Sequence, residues 1–194
     1  MTAYDDRTAL LVVDVQNDFA DARGSLSVGG GLEVVPVVNA EVHAAREAGA
    51  IVAYTQDWHP ASTPHFAKDG GVWPVHCVAE TWGAALVDGL LVDGPVVRKG
   101  TGGEDGYSGF SVRDPESGEE SATDLERILR AGGVERVVIA GLATDYCVKA
   151  TALDAVRLGF ATVVLQAGVR AVEVHDGDGA RAIAEMTAAG VDVI

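Results

Sequence analysis

Short apolar runs recur along the chain, separated by longer stretches in which apolar positions return at helical spacing. That alternation predicts a parallel sheet covered by helices on both faces. The runs are Ala9–Val13, Ala50–Tyr54, Pro95–Val97, Val137–Ala140, Ala161–Leu165 and Val191–Ile194. Helices are expected over Val34–Ala48, ended by Gly49, from a Ser121 or Thr123 cap to near Gly132, over Asp145–Leu158, and over Asp178–Ala189. The expected architecture is α/β: a doubly wound, six-stranded, mainly parallel sheet with helices on both faces, in a single domain over 1–194. A long loop rich in aromatics and prolines, roughly Gln56–Thr81, interrupts the pattern. There is no internal repeat and no linker.

Doubly wound sheets bind ligands at the carboxyl ends of their strands. Asp14 follows Leu10–Val13, Asp57 follows Ile51–Thr55, Lys99 follows Pro95–Val97, and Cys147 follows Val137–Ala140 across a short turn. Cys147 stands in Gly-Leu-Ala-Thr-Asp-Tyr-Cys-Val, residues 141–148, where a strand breaks on small residues and a helix begins. In a first helical turn the free N–H groups and the helix dipole favour a thiolate, the nucleophilic form. Asp14 is costly to bury unless paired. Beside a cysteine it gains a role, taking the thiol proton and later handing it to a leaving amine. The Lys99 ammonium would hold Asp14 ionised and favour the thiolate. Each residue also has a plainer reading. Asp14 could cap a loop, Lys99 could be an exposed lysine, and Cys147 could be a buried small hydrophobe, as Cys77 is expected to be. Their convergence at one sheet edge favours chemistry.

The long loop carries a second cluster, Asp57-Trp58-His59 followed by His65 and His76, so three of the five histidines fall within eighteen residues. A carboxylate and three imidazoles form a candidate site for one divalent metal ion, and such ligands suit zinc first, but iron and manganese as well. Phe19, Trp73 and Tyr107 fall in loops at the same edge and would suit a planar ring. The glycine-rich stretches Gly29–Gly31 and Gly100–Gly106 match no nucleotide-binding fingerprint and read as turns. His43 and His175 are expected on the surface, without a role.

The formal charge of −15 on 194 residues argues against a nucleic-acid or anionic-membrane partner and leaves a small molecule as the expected ligand. No uncharged apolar stretch reaches the roughly 20 residues of a membrane helix. The polar, acidic Met1–Asp6 does not read as a secretory signal, and two cysteines do not make a disulfide scaffold. A cytoplasmic protein is expected. A homo-oligomer is compatible with the sequence, which carries no mark of one.

Six segments, taken in order, resemble the isochorismatase-like cysteine hydrolases and, within them, the nicotinamidase/pyrazinamidase group. They are Asp-Val-Gln-Asn-Asp-Phe (14–19), Asp-Trp-His-Pro (57–60), Trp-Pro-Val-His-Cys (73–77), Arg-Lys-Gly (98–100), Tyr-Ser-Gly-Phe (107–110) and the 141–148 segment. The resemblance implies a Cys147–Asp14–Lys99 triad and metal ligands at Asp57, His59 and His76, with His65 an additional ligand found in some members. It also implies a cis peptide at Leu142–Ala143 and an oxyanion hole made by the N–H groups of Ala143 and Cys147. The implied reaction converts a carboxamide such as nicotinamide or pyrazinamide to its acid and ammonia through a thioester, with the ring near Phe19, Trp73 and Tyr107. Two rival readings stand beside it. One is a metal-independent amidase of the same superfamily, which would have no need of the histidines. The other is a non-catalytic binding protein, whose function would survive loss of Cys147.

Overall fold

The computed structural model describes residues 3–194. In chain order the elements are β1 (Thr8–Val13), the short α1 (Asn17–Ala20), α2 (Val34–Glu47), β2 (Ile51–Asp57), β3 (Val96–Lys99) and the strands β4 (Ser111–Arg113) and β5 (Glu120–Ala122). There follow α3 (Leu125–Ala131), β6 (Arg136–Leu142), one turn of π-helix (Thr144–Val148), α4 (Lys149–Arg157), β7 (Ala161–Arg170), α5 (Asp178–Ala188) and β8 (Asp192–Val193). Six strands form one sheet in the order β3-β2-β1-β6-β7-β8, and every neighbouring pair is parallel. The winding reverses between β1 and β6, which places the ligand crevice of such a sheet at their carboxyl ends.

All six residues of β1 are buried, because the central strand is covered on both sides. Successive side chains point to opposite faces and so feed two cores. Leu10 and Val12, with Val52, Tyr54, Val138 and Ala140, pack on one side against Val34, Val38 and Val42 of α2. Ala9, Leu11 and Val13 face the other side, with Leu125 and Leu129 of α3, Ala152 and Ala155 of α4 and Met186 of α5. The α2 residues recur four apart, one stripe of an amphipathic helix. Each such valine, fully buried, contributes roughly 1.5–3 kcal/mol. Gly141 lies at φ +123, where a Cβ would overlap the Val13 carbonyl, so β1 and β6 meet at the crevice only through a glycine. Among the described residues no helix is long and apolar enough to cross a membrane.

The expected strands and helices are present, with differences at their ends. β2 continues to Asp57 because its last residues pair with β3, Asp57 lying beside Lys99. The antiparallel pair β4–β5 lies outside the main sheet and was not anticipated, since Ser-Val-Arg and Glu-Ser-Ala carry no apolar alternation. Ser121 belongs to β5 rather than to a helix cap. Thr123 is not the cap residue either, a place Asp124 takes without a side-chain capping bond; the Thr123 hydroxyl, one residue earlier, accepts the Leu125 N–H at 3.2 Å and donates to the Gly109 carbonyl at 2.5 Å.

Candidate active site

Asp14, Asp57, Lys99 and Cys147 converge at the carboxyl edge of β1, β2, β3 and β6. Asp14 leaves β1 with φ +48, a left-handed conformation uncommon outside glycine and typical of sites under functional constraint. Its Oδ1 accepts the Thr55 hydroxyl at 2.6 Å. Its Oδ2 lies 2.7 Å from Lys99 Nζ, but the contact is poorly directed, so this buried oxygen receives no well-aligned hydrogen bond. Lys99 Nζ is also 2.5 Å from Asp57 Oδ1 and 3.8 Å from Cys147 Sγ, and it donates to the Gly106 carbonyl.

Two carboxylates thus share one ammonium away from water, and they respond oppositely. Burial raises the Asp14 carboxyl to about 6, although Lys99 pulls it down. Burial also pushes Asp57 up, but the attraction of Lys99 with the contacts of His59 and His76 outweighs it and holds this carboxyl below its ordinary range. Lys99 is held well above its ordinary value, the two aspartates overcoming its burial.

Cys147 lies in the π turn, not in a regular first turn of α-helix, and its side chain is buried. The thiolate expected there is corrected by the surroundings: burial pushes the thiol well above its ordinary value, and Lys99 only partly offsets this. The resting group is a neutral thiol, with carboxylate acceptors close by, since donor atoms of Asp14, Asp57 and Cys147 lie within 4.8 Å of one another. Cys77 is buried and its thiol is likewise raised, as expected of a small hydrophobe.

Next to these groups, His59, His65 and His76 are all buried, with ligand atoms within 4.8 Å of one another. Asp57 Oδ2 lies 3.8 Å from His59 Nε2. His65 Nδ1 bonds Asp105 Oδ1 at 2.6 Å, and His76 Nδ1 bonds the Pro74 carbonyl at 2.8 Å. With acceptors at Nδ1, the proton is assigned there and the Nε2 lone pair is left free, the arrangement in which metal-binding imidazoles are held. Burial lowers His65 and takes His76 down to about 4, so both are neutral at pH 7. His59 Nδ1 is buried and has no hydrogen-bond partner among the described residues. The cluster fits a divalent ion in donor type, protonation and support.

A cavity with an empty volume of about 400 Å³, its mouth included, connects the two groups. Phe19, Trp73 and Tyr107 line it, as anticipated, with Tyr146 a fourth aromatic. Trp73 Nε1 donates to the Tyr107 hydroxyl at 2.7 Å, and the Trp73 and Tyr146 rings meet edge to face at 4.8 Å. Burial raises the Tyr107 hydroxyl to about 12, so it stays neutral. Ala143 and Cys147 also line the cavity, and the Leu142–Ala143 peptide is cis. The space suits a single planar ring.

Supporting residues escaped the sequence reading. Gln16 grips the end of β2, donating to the Asp57 carbonyl and accepting its N–H, both at 2.8 Å. The Asp18 carboxylate accepts the Ser25 N–H at 3.0 Å and the Cys77 N–H at 2.7 Å. Thr55, Asp105 and Gly106 act through the contacts given above. Tyr146 carried a signal in its place beside Cys147, and Gln16 and Asp18 in theirs within the 14–19 segment.

The isochorismatase domain model matches residues 8–194. A nicotinamidase of Escherichia coli (strain K12) is 38% identical over 201 residues, covering 94% of this chain and 92% of that protein. A nicotinamidase/pyrazinamidase of Mycobacterium tuberculosis is 39% identical over 196 residues, covering 96% and 97%. Among solved structures, the pyrazinamidase of Pyrococcus horikoshii in complex with zinc superposes with a TM-score of 0.85 at 41% identity, covering 97% of this chain and 98% of that one. The PnC1 protein of L. infantum in complex with nicotinate gives 0.89 at 35%, covering 100% and 95%.

Proposed function

Because the chain belongs to the isochorismatase family, and within it to the nicotinamidase/pyrazinamidase amidohydrolases, we propose that it converts nicotinamide to nicotinic acid and ammonia through a thioester on Cys147. The observation that carries the reading is one aromatic-walled cavity lined by Cys147 together with His65 and His76. Pyrazinamide, with a ring nitrogen in the same relation to its carboxamide, is a second substrate.

The ring lies among Phe19, Trp73, Tyr107 and Tyr146, which exclude water from the carboxamide. Asp14 takes the Cys147 proton as Sγ attacks the amide carbon. The oxyanion is received by the N–H groups of Ala143 and Cys147. Asp14 then returns the proton to the nitrogen, the C–N bond breaks and ammonia leaves. Water gives a proton to Asp14 while its oxygen attacks the thioester, and the carboxylic acid departs as the thiol is restored. Throughout, Lys99 balances the charge on Asp14. A divalent ion held by Asp57, His59, His65 and His76 would supply Lewis acidity toward a ring nitrogen, with zinc, iron and manganese all suited to these ligands.

The test is ammonia release from nicotinamide by the purified protein, before and after chelation and after metal is restored. Release that is lost on chelation and recovered with metal is the expected result. No release from folded, metal-loaded protein would sink the assignment.

The raised Asp14 carboxyl sets the pH dependence. Asp14 must be ionised to accept the thiol proton, and its value of about 6 puts half of it in the wrong form at that pH. Below this point kcat/KM for nicotinamide should fall about tenfold per pH unit, and above it the profile should level. A profile flat across pH 6 would remove Asp14 as the base.

A further inference from the structure

The loop that follows Lys99 touches both halves of the site. The Gly106 carbonyl accepts from Lys99 Nζ, while the preceding residue, Asp105, bonds His65 Nδ1 at 2.6 Å. Asp105 is itself well anchored. Its N–H donates to the Arg113 carbonyl at 2.8 Å and its carbonyl accepts the Arg113 N–H at 3.0 Å, a two-bond bridge onto β4. The loop is also tied to the histidine loop: the Thr63 hydroxyl donates to the Gly103 carbonyl at 2.6 Å and accepts the His65 N–H at 3.2 Å.

We propose that Asp105 is a positioning residue for metal binding: its carboxylate holds the proton on His65 Nδ1 and so presents Nε2 to the ion beside His59 and His76. The inference rests on the metal-dependent reading of the site given above. A neutral imidazole has one N–H and one lone pair, and without a fixed acceptor its ring can turn or its tautomer can change. Either change would point a hydrogen, or the wrong edge, at the ion. Carboxylate partners of this kind orient ligating imidazoles and make them more basic, and their loss typically costs 10–100-fold in metal affinity. Asp105 therefore converts His65 from a nearby imidazole into a committed ligand, and the β4–β5 pair serves as its footing.

The experiment measures zinc affinity by competition with a chromophoric chelator, on the wild type and on D105A, D105N, H65A and D105A/H65A. Nitrogen NMR of zinc-free protein reports the His65 tautomer. D105A should weaken zinc binding about 10–100-fold. D105N should lose less, because its amide oxygen still accepts the Nδ1–H. The double variant should bind no more weakly than H65A, as expected when one residue acts through the other. The Nδ1–H tautomer of His65 should dominate in the wild type and lose that dominance in D105A. Zinc affinity unchanged in D105A while H65A weakens it would overturn the proposal, as would losses that simply add. Should D105A fail to fold, D105N decides, and wild-type affinity in it with a changed tautomer overturns the proposal. Unchanged affinity in H59A and H76A would instead defeat the metal reading itself.

Discussion

Replacing Cys147 with alanine should lower ammonia release from nicotinamide by on the order of 10⁴-fold or more while leaving the protein folded and able to bind the ring. Cys147 brings a thiol to the cavity, with Sγ 3.8 Å from the Lys99 ammonium and close to Asp14. In the proposed mechanism, removing it also removes the group whose proton Asp14 would handle, which neither Asp14 nor Lys99 could replace. The fold should tolerate the change. Alanine keeps the Cβ, the π turn is held by its backbone, and only one buried sulfur is lost from a site that opens onto the cavity. Turnover and calorimetric binding of nicotinamide should be measured together. Loss of the first with retention of the second within a few-fold is the expected outcome, and turnover within tenfold of wild type would exclude Cys147 as the nucleophile. Complete loss of binding would show that the thiol acts in recognition as well.

Lys99→Met has the other large expected effect, and it falls on stability as well as rate. Methionine matches most of the length of lysine but leaves Asp14 and Asp57, both fully enclosed, without their shared cation. Breaking a buried ion group from one side costs about 3–5 kcal/mol. The sign of its pH dependence follows from the carboxylates. Without Lys99 the Asp14 carboxyl loses the attraction that partly offsets its burial, so its folded value rises further above the ordinary 3.8 and its ionisation opposes folding. Lowering the pH from 7 toward 5 protonates Asp14 and relieves its share of the penalty. Denaturant melts of chelator-treated protein should therefore show a large gap from wild type at pH 7 that narrows at pH 5. Turnover should fall at least about 10²-fold, because a protonated Asp14 accepts nothing. A variant within about 1 kcal/mol of wild type at pH 7 would mean that the ammonium does not balance these charges.

The parts of this molecule that were legible from sequence are those in which local pattern and tertiary role coincide. Strands buried on both faces read as unbroken apolar runs, and a charge at the end of such a run, as at Asp14 or Lys99, stands out. Histidines crowded into one loop stand out for the same reason. What stayed hidden depends on partners far along the chain. Thr55 reaches Asp14 across 41 positions and Asp105 reaches His65 across 40, and neither is marked by its neighbours. Asp57 looked like a loop residue because its strand partner, Lys99, is 42 positions away. The protonation of Cys147 was misread for a related reason. A helix start is visible in sequence, but the burial that overrides its field comes from the packing of several elements.

Asp18 gives the cavity a property that none of its wall residues has alone. By accepting N–H groups from Ser25 and Cys77, its carboxylate joins the segment bearing Phe19 and Leu26 to the one bearing Trp73 and His76. Gly83 packs so closely on this carboxylate that any side chain there would collide with it, which closes the joint from a third direction. The two wall segments are therefore joined through Asp18 before any ligand arrives. Their separation is set when the chain folds, and the entropy of aligning them is lost then, not at each encounter. A ligand that enters the cavity therefore meets walls already fixed to one another.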